Sequence, residues 1–393
     1  MKIPQYFEFY SPVKILSGEN ALDNLPGEIK FLKTSKPLLI TDKGVVKAGI
    51  LKPIEEVLKE HQINFILFDE VPPDSDLNVV KRIAKIYLEN DRDVIIAVGG
   101  GSVIDTAKGT NILVSLRLND LREVMGANVI REPLRPLIVI PTTAGTGSEA
   151  TCVAVIKDRE RDIKMLFVSQ HLIPNVAILD VKMTKTLPPF LTAATAMDAL
   201  THSIEAYTSI QKNPVSDVFA WLSIKLISKN LLKVLDNPND SRGRLALANA
   251  SLFAGIAFSN SMVGLVHSLG HSAGAVWNIH HGVTMNIFLP WVLEYNFEKI
   301  SEELAELLLP LAGEREYLET PERDRAKRFV AKIRELQKIL EEKTGIPNTL
   351  SKAGAKREDF PRVLELTLRD GSLSFNVKDA SEKEIMEILE KAF

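Results

Sequence analysis

Cysteine is almost absent: Cys152 stands alone among 393 residues. That excludes an intrachain disulfide and suits a reducing compartment. Its place in the apolar run 151–156 marks it as a packing residue rather than a nucleophile. Charge of one sign is also lacking, since 48 Lys and Arg oppose 51 Asp and Glu, a net of −3. Such a balance leaves no electrostatic footprint for nucleic acid or an anionic membrane. No apolar run reaches the roughly 20 residues needed to span a bilayer. Residues 1–12 carry no apolar segment behind Lys2, so no secretory signal is expected. A cytoplasmic protein with a small-molecule partner is therefore the expectation.

What is present is an ordinary globular composition, 45% hydrophobic and 25% charged, in a chain long enough for two domains. Apolar, β-branched runs at 38–41, 64–68, 94–98, 137–140 and 176–179 alternate with amphipathic stretches such as 50–59 and 77–88. Continuous apolar strands between helices predict a parallel sheet covered on both faces. Residues 153–168, charged at their middle from Asp158 to Asp162, read instead as a hairpin. After Leu187-Pro188-Pro189 the pattern turns wholly helical, with helices expected at 193–207, 217–235, 244–258, 302–311, 324–342 and 381–392. The expected organisation is thus an α/β domain over 1–188 with a mostly parallel, Rossmann-like sheet, then an all-helical domain over 189–393. The dense charges of 314–328 read as a solvated face.

Two loops in the first half suggest a nucleotide. The strand 94–98 runs into Gly99-Gly100-Gly101-Ser102 and then a helix. Glycines let the backbone approach an anion, and the N–H groups and dipole of the helix start hold it. The spacing is not that of the usual dinucleotide fingerprint. A second strand ends in Pro141-Thr142-Thr143-Ala144-Gly145-Thr146-Gly147-Ser148-Glu149, whose hydroxyls on Thr142, Thr143, Thr146 and Ser148 lie at the sheet edge where open α/β folds bind ligands. Asp42, just past the strand 38–41, can accept from ribose hydroxyls and repel a 2′-phosphate, which favours NAD over NADP. The same carboxylate could cap the turn before Lys43-Gly44.

The second half suggests a metal. Five of the seven histidines fall between 202 and 281, and imidazole is the commonest metal ligand. Asp198 and His202 lie one helical turn apart on one face, and His267 and His271 repeat that spacing among Leu, Val and Ala. His280 and His281 follow, before what reads as a helix-breaking Gly282. Spacing alone leaves open which of His267, His271, His280 and His281 complete the site. A carboxylate with several imidazoles suits Fe²⁺, Zn²⁺, Mn²⁺ or Co²⁺ rather than Ca²⁺.

Gly99-Gly100-Gly101-Ser102 with Asp105 and Lys108, the loop from Pro141 to Glu149, Met197-Asp198-Ala199-Leu200-Thr201-His202-Ser203-Ile204-Glu205-Ala206-Tyr207, and Gly264-Leu265-Val266-His267 through His281-Gly282 together resemble the iron-containing (group III) alcohol dehydrogenases. The resemblance runs in order from about residue 10 to 300. It implies a dehydroquinate synthase-like fold and a metal held by Asp198, His202, His267 and His281. His271 matches a neighbouring histidine that lines the site, and a proton-relay role is assigned to it here. The phosphate loop falls on Gly99, Gly100, Gly101 and Ser102, the nicotinamide-side loop on Thr142, Thr143, Thr146 and Ser148, and a ribose-facing lysine on Lys164. Asp42 falls on the acidic position linked to NAD. A homodimer is implied by the same analogy. His280 stands where proline is frequent, and 371–377 replaces an Asn-Pro-Arg tripeptide common in the family.

The expected activity is metal-dependent hydride transfer between NAD(P) and a small primary alcohol or diol and its aldehyde. Glycerol dehydrogenase-type chemistry with zinc and hydroxyacid–oxoacid transhydrogenation are the rival oxidoreductase activities. A dehydroquinate synthase-like lyase would need a basic cluster for a phosphorylated substrate, and residues 198–281 supply none beside the candidate ligands. A metal- or nucleotide-binding protein without turnover is the non-enzymatic alternative.

Overall fold

The computed structural model describes residues 3–161 and 163–393. Met1, Lys2 and Asp162, the last of these at the end of the charged turn expected within 153–168, lie outside them. The chain forms two compact units, one over residues 10–187 and one over 188–393 joined by the residues up to Phe9. Phe9 belongs with the second unit because its ring stacks on Phe219 at 5.8 Å.

The first unit contains strands β1 (Lys14–Gly18), β2 (Pro37–Ile40), β3 (Ile66–Phe68), β4 (Val94–Gly99), β5 (Gly126–Ala127), β6 (Leu137–Pro141), β7 (Val153–Asp158), β8 (Ile163–Val168) and β9 (Val176–Asp180). Its helices are α1 (Leu25–Phe31), α2 (Lys43–Lys47), α3 (Lys52–Glu60), α4 (Leu77–Glu89), α5 (Gly101–Leu116) and α6 (Val181–Thr184). Six strands form one sheet in the order β1-β9-β6-β4-β2-β3, parallel at every pairing. All residues of β2, β4, β6 and β9 are buried, and the two-residue period divides them between two cores. Leu38, Ile40, Ile95, Ala97 and Val139 meet Val80 and Ile83 of α4 and Ile104 of α5. Leu39, Ile96, Val98, Ile138 and Ile140 meet Leu25 and Ile29 of α1 and Ile54 and Leu58 of α3. Each fully buried aliphatic side chain contributes about 2 kcal/mol, so the continuous apolar strands follow from helices on both faces.

The hairpin at 153–168 is β7 paired antiparallel with β8, and β5 adds to β8 in parallel. β1 is absent from the sequence-based expectation. It is a partly exposed edge strand, and its apolar pair Ile15-Leu16 is too short to form a pattern.

The second unit holds α7 (Pro189–Thr208), α8 (Pro214–Asp236), α9 (Ser241–Ser259), α10 (Leu265–Trp277), α11 (His281–Ala312), α12 (Glu314–Glu319), α13 (Arg325–Thr344), α14 (Phe360–Arg369) and α15 (Glu382–Ala392). No strand occurs among its described residues. α7 opens on Pro189, whose missing N–H costs nothing at a helix start. It is buried at every position from Thr192 to Thr208 because α8, α9 and α11 pack around it. α8 begins with a reciprocal cap between Asn213 and Ser216, with Pro214 in its first turn.

Two parts of this unit differ from the sequence-based helices. α11 runs unbroken through Pro290 and Pro310, where only 302–311 is periodic enough to predict a helix. Proline removes one ladder bond to the carbonyl four residues earlier, and for Pro290 that carbonyl, Asn286 O, accepts instead from Gln337 Nε2. α14 lies outside the stretches named from the sequence, and α10 is announced there only by the one-turn spacing of His267 and His271. α10 is rich in small residues and buried on several sides, which erases the amphipathic signal.

Candidate active site

In the helical unit, Asp198 and His202 project from α7, His267 from α10 and His281 from the first position of α11. Their donor atoms all lie within 4.8 Å of one another. Asp198 Oδ1 stands 3.7 Å from His202 Nδ1, 4.0 Å from His267 Nε2 and 3.3 Å from His281 Nε2. Donors about 2.1 Å from one tetrahedral ion stand roughly 3.4 Å apart, so these separations are those of a ligand set. Among the described residues, Asp198 Oδ1, His202 Nδ1 and His267 Nε2 are sealed from solvent without any hydrogen-bond partner. Native interiors rarely leave such atoms orphaned, and a cation would satisfy all three at once. The residues therefore fit a divalent metal.

Their ionisation agrees. Burial pushes His202 down to about 3 and His267 well below the ordinary range, so both rings are neutral with lone pairs available. Burial alone would raise Asp198, but the surrounding imidazoles outweigh it and hold the carboxyl well below its usual value. The set is one carboxylate and neutral nitrogens, the form a divalent ion requires.

Local packing explains why the groups converge. Phe258 of α9 stacks on His202 at 4.4 Å, and His202 on His267 at 4.4 Å. Gly282 lies against α7 so closely that a Cβ would meet Ala194 O at 2.1 Å. Far from breaking a helix, Gly282 sits in the first turn of α11 and lets His281 reach Asp198. His280, weighed as a ligand from spacing, is instead the N-cap of α11, its Nδ1 accepting the Gly282 N–H at 3.2 Å. His271 stands at the rim, its ring 5.8 Å from that of His267 and 5.3 Å from that of His281.

Two carboxylates with no role in the sequence analysis complete this site. Glu205 follows Asp198 and His202 on the same face of α7, at the helical spacing that could have revealed it. Its Oε1 accepts the Val266 N–H at 2.7 Å, capping α10, while Oε2 faces His267 Nδ1 at 2.5 Å. Burial pushes Glu205 up to about 7. Asp370 Oδ2 lies 2.9 Å from His271 Nδ1. Burial would raise Asp370, but His271 and the Ser372 N–H outweigh it and keep the carboxyl well below the usual range. No spacing signal links residue 370 to residue 271.

In the α/β unit, β4 ends at Gly99 and α5 starts at Gly101. Gly100, the N-cap of α5, supplies no side-chain acceptor; its carbonyl takes the Val103 N–H at 3.1 Å, which leaves the N–H groups of Gly101 and Ser102 for a ligand. A Cβ on Gly99 would strike Val103 at 2.5 Å, and one on Gly101 would strike Thr146 at 2.8 Å. The glycine turn and the Thr142–Ser148 loop thus close on each other, with Gly99 O accepting the Thr142 N–H at 3.1 Å. Lys108 of α5, fully buried, anchors the segment that follows this loop by donating to Thr151 O at 2.7 Å, Thr151 Oγ1 at 2.9 Å and Val153 O at 2.9 Å. This cradle fits a dinucleotide phosphate.

The remaining candidates divide in their visible roles. Ser102 Oγ donates to Pro73 O. Thr146 Oγ1 accepts the Ser148 N–H at 3.3 Å, and Thr142 and Ser148 are buried, while Thr143 Oγ1 lies nearest the space above Gly100. Asp42 caps α2, accepting the Val45 N–H at 2.9 Å through Oδ1. Lys164 is exposed on β8 opposite Lys157.

Residues 12–181 match the family model of iron-containing alcohol dehydrogenase, and residues 192–393 match the C-terminal model of the same family. The chain is 35% identical over 389 residues to the 1,3-propanediol dehydrogenase of Citrobacter freundii, covering 98% of this chain and 99% of that one. It is 32% identical to the NAD-dependent methanol dehydrogenase of Bacillus methanolicus, with 98% and 99% covered. A crystal structure of 1,3-propanediol oxidoreductase superimposes with a TM-score of 0.94 at 34% identity, over 99% of this chain and 100% of that one. With the orphaned Asp/His donors and the glycine cradle, these matches make the protein an oxidoreductase acting on alcohols that belongs to the iron-containing alcohol dehydrogenase family.

Proposed function

We propose that the chain interconverts a small primary alcohol or diol and its aldehyde, using NAD and a divalent metal held by Asp198, His202, His267 and His281. The observation that carries this is the convergence of three buried, partnerless donor atoms from α7 and α10 beside the His281 ring. When bound, an Fe²⁺ ion supplies a Lewis acid for the hydroxyl oxygen and NAD supplies the acceptor for the hydride.

The chain's own residues do the rest. Glu205 holds His267 with Nε2 turned toward Asp198, as an outer carboxylate does for a ligating imidazole. His271, 31% exposed at its side chain, takes the hydroxyl proton and passes it to water. Gly99, Gly100, Gly101 and Ser102 bring backbone N–H groups to the pyrophosphate. Thr142, Thr143, Thr146 and Ser148 line the adjoining loop, and Lys164 supplies a cation for the ribose. The Asp42 oxygen not engaged in the cap selects NAD by repelling a 2′-phosphate.

The names of the relatives, which act on 1,3-propanediol and methanol, support a small substrate. The chain's one cysteine, Cys152, is buried and has no second cysteine in the sequence to form a disulfide with, which supports a cytoplasmic setting. No helix among the described residues is long and apolar enough to cross a membrane. A homodimer is supported by β1, which among the described residues pairs with β9 alone and leaves Ile15 39% exposed on an edge strand.

The test is metal analysis of purified protein, then NAD⁺ and NADP⁺ assays across C2–C6 alcohols and diols. Asp198→Ala should fold, lose its metal and lose turnover. Turnover at the wild-type rate in that variant would refute the assignment.

A further inference from the structure

Asp370 sits where the chain leaves α14, and it engages both of its oxygens. Oδ1 accepts the Ser372 N–H at 2.9 Å and lies 3.4 Å from Ser268 Oγ on α10. Oδ2 faces His271 Nδ1 at 2.9 Å. A carboxylate used only as a cap needs one oxygen and no ring. Here the Ser372 N–H and the Ser268 hydroxyl both engage Oδ1, which leaves Oδ2 at a fixed point against the imidazole.

We propose that Asp370 is the positioning residue for proton transfer through His271. It draws the ring proton onto Nδ1, which leaves Nε2 as the base. This rests on the proton role given to His271 above. An imidazole has two tautomers, and only one presents a lone pair at a chosen nitrogen; a fixed carboxylate at the other nitrogen selects it. In alcohol oxidation the hydroxyl O–H bond breaks and its proton forms an N–H bond at Nε2. The C–H electron pair leaves with the hydride to NAD⁺, and the C=O bond forms from the electrons left on oxygen. His271 then returns the proton to water through its exposed side. Asp370 exchanges no proton.

The test uses Asp370→Ser, because serine keeps an N-cap acceptor for the Ser372 N–H but is too short to reach His271. It is compared with His271→Ala and with the double variant, all at equal metal content. Loss of kcat by about 10- to 100-fold is expected in Asp370→Ser, with KM for NAD⁺ and for the alcohol unchanged. The double variant should be no slower than His271→Ala alone, since Asp370 acts only through that ring. Independently of turnover, nitrogen-15 spectra of histidine-labelled, zinc-loaded protein should show His271 protonated at Nδ1 and bare at Nε2. That signature should be lost in Asp370→Ser.

If His271→Ala is slow but Asp370→Ser matches the wild type and keeps the His271 signature, Asp370 is only a cap. The inference then falls while the role of His271 stands. Losses that multiply in the double variant also overturn it. Wild-type kcat in His271→Ala overturns both.

Discussion

Glu205 joins two structural tasks through one carboxylate: it caps the start of α10 through Val266 and faces the Nδ1 of His267 at 2.5 Å. The ligand ring and the helix that carries it are therefore fixed by the same group. Glu205→Gln keeps an acceptor but weakens the grip on the imidazole. Metal affinity, measured by chelator competition, should fall by about 10- to 100-fold with little change in melting temperature of the metal-free protein. Equal affinity would show that His267 is oriented by its ring stacks alone.

Gly282→Ala should be among the most damaging single-methyl changes in the chain. The new Cβ would meet a backbone carbonyl of α7 at 2.1 Å, and backbone cannot rotate away as a flexible side chain can. Overpacking of this kind costs about 1–3 kcal/mol or more. The start of α11 should shift, taking His281 away from Asp198. Chemical denaturation together with metal titration would show both losses, and a variant as stable and as metal-rich as the parent would contradict the contact.

Asp42→Ser separates the two tasks available to that residue. Serine still caps α2, but the negative charge is gone. The ratio of kcat/KM for NADP⁺ over NAD⁺ should rise about tenfold. An unchanged ratio would confine Asp42 to capping.

Glu149 controls a pH dependence remote from the metal ligands. Its side chain is buried, Oε1 has no partner, and burial raises its pKa from 4.5 to about 7 despite the nearby Lys108. Between those values the unfolded chain has released the proton while the folded chain retains it. Stability therefore falls as pH rises from about 4.5 to about 7 and levels off above. Glu149→Gln should flatten that decline and be roughly 1–3 kcal/mol more stable than the parent at pH 8. Urea unfolding at pH 5 and pH 8 would measure it, and parallel losses in both proteins would contradict the assignment.

Removing the metal should lower the melting temperature of the wild type far more than that of Asp198→Ala. Ligand binding to the native state alone contributes about 4 kcal/mol at a thousandfold excess over Kd. Calorimetry with and without a chelator reads the difference, and equal shifts in the two proteins would place the ion elsewhere.

Much of the α/β unit was legible in the sequence because its central strands are buried on both faces, which compels unbroken apolar runs such as 94–98. β1 was not legible, since an edge strand has only one side to satisfy. In the helical unit the patterned helices α8 and α13 were readable, but α10 showed itself only through the spacing of His267 and His271, because small residues on a many-sided buried helix carry no apolar period. The pairing of Asp198 with His202 follows from helical spacing. The choice of His281 over His280 depends on where α11 begins, and that is settled by how closely Gly282 can approach Ala194. Asp370 lay beyond any local pattern, since its partner is 99 positions away.

The donor residues on α7 and α10 are nearly closed to solvent, with Asp198, His202 and His267 at 2%, 5% and 2% exposure, and His281 is the one open side. An ion seated there would be enclosed on three sides and would meet solvent and substrate only past His281, whose side chain is 35% exposed. Uptake and loss of the metal should therefore run through that one face. His281→Ala should speed both in the native protein, read as the rate of transfer to a chelator, and unchanged rates would show that the ion has another way out.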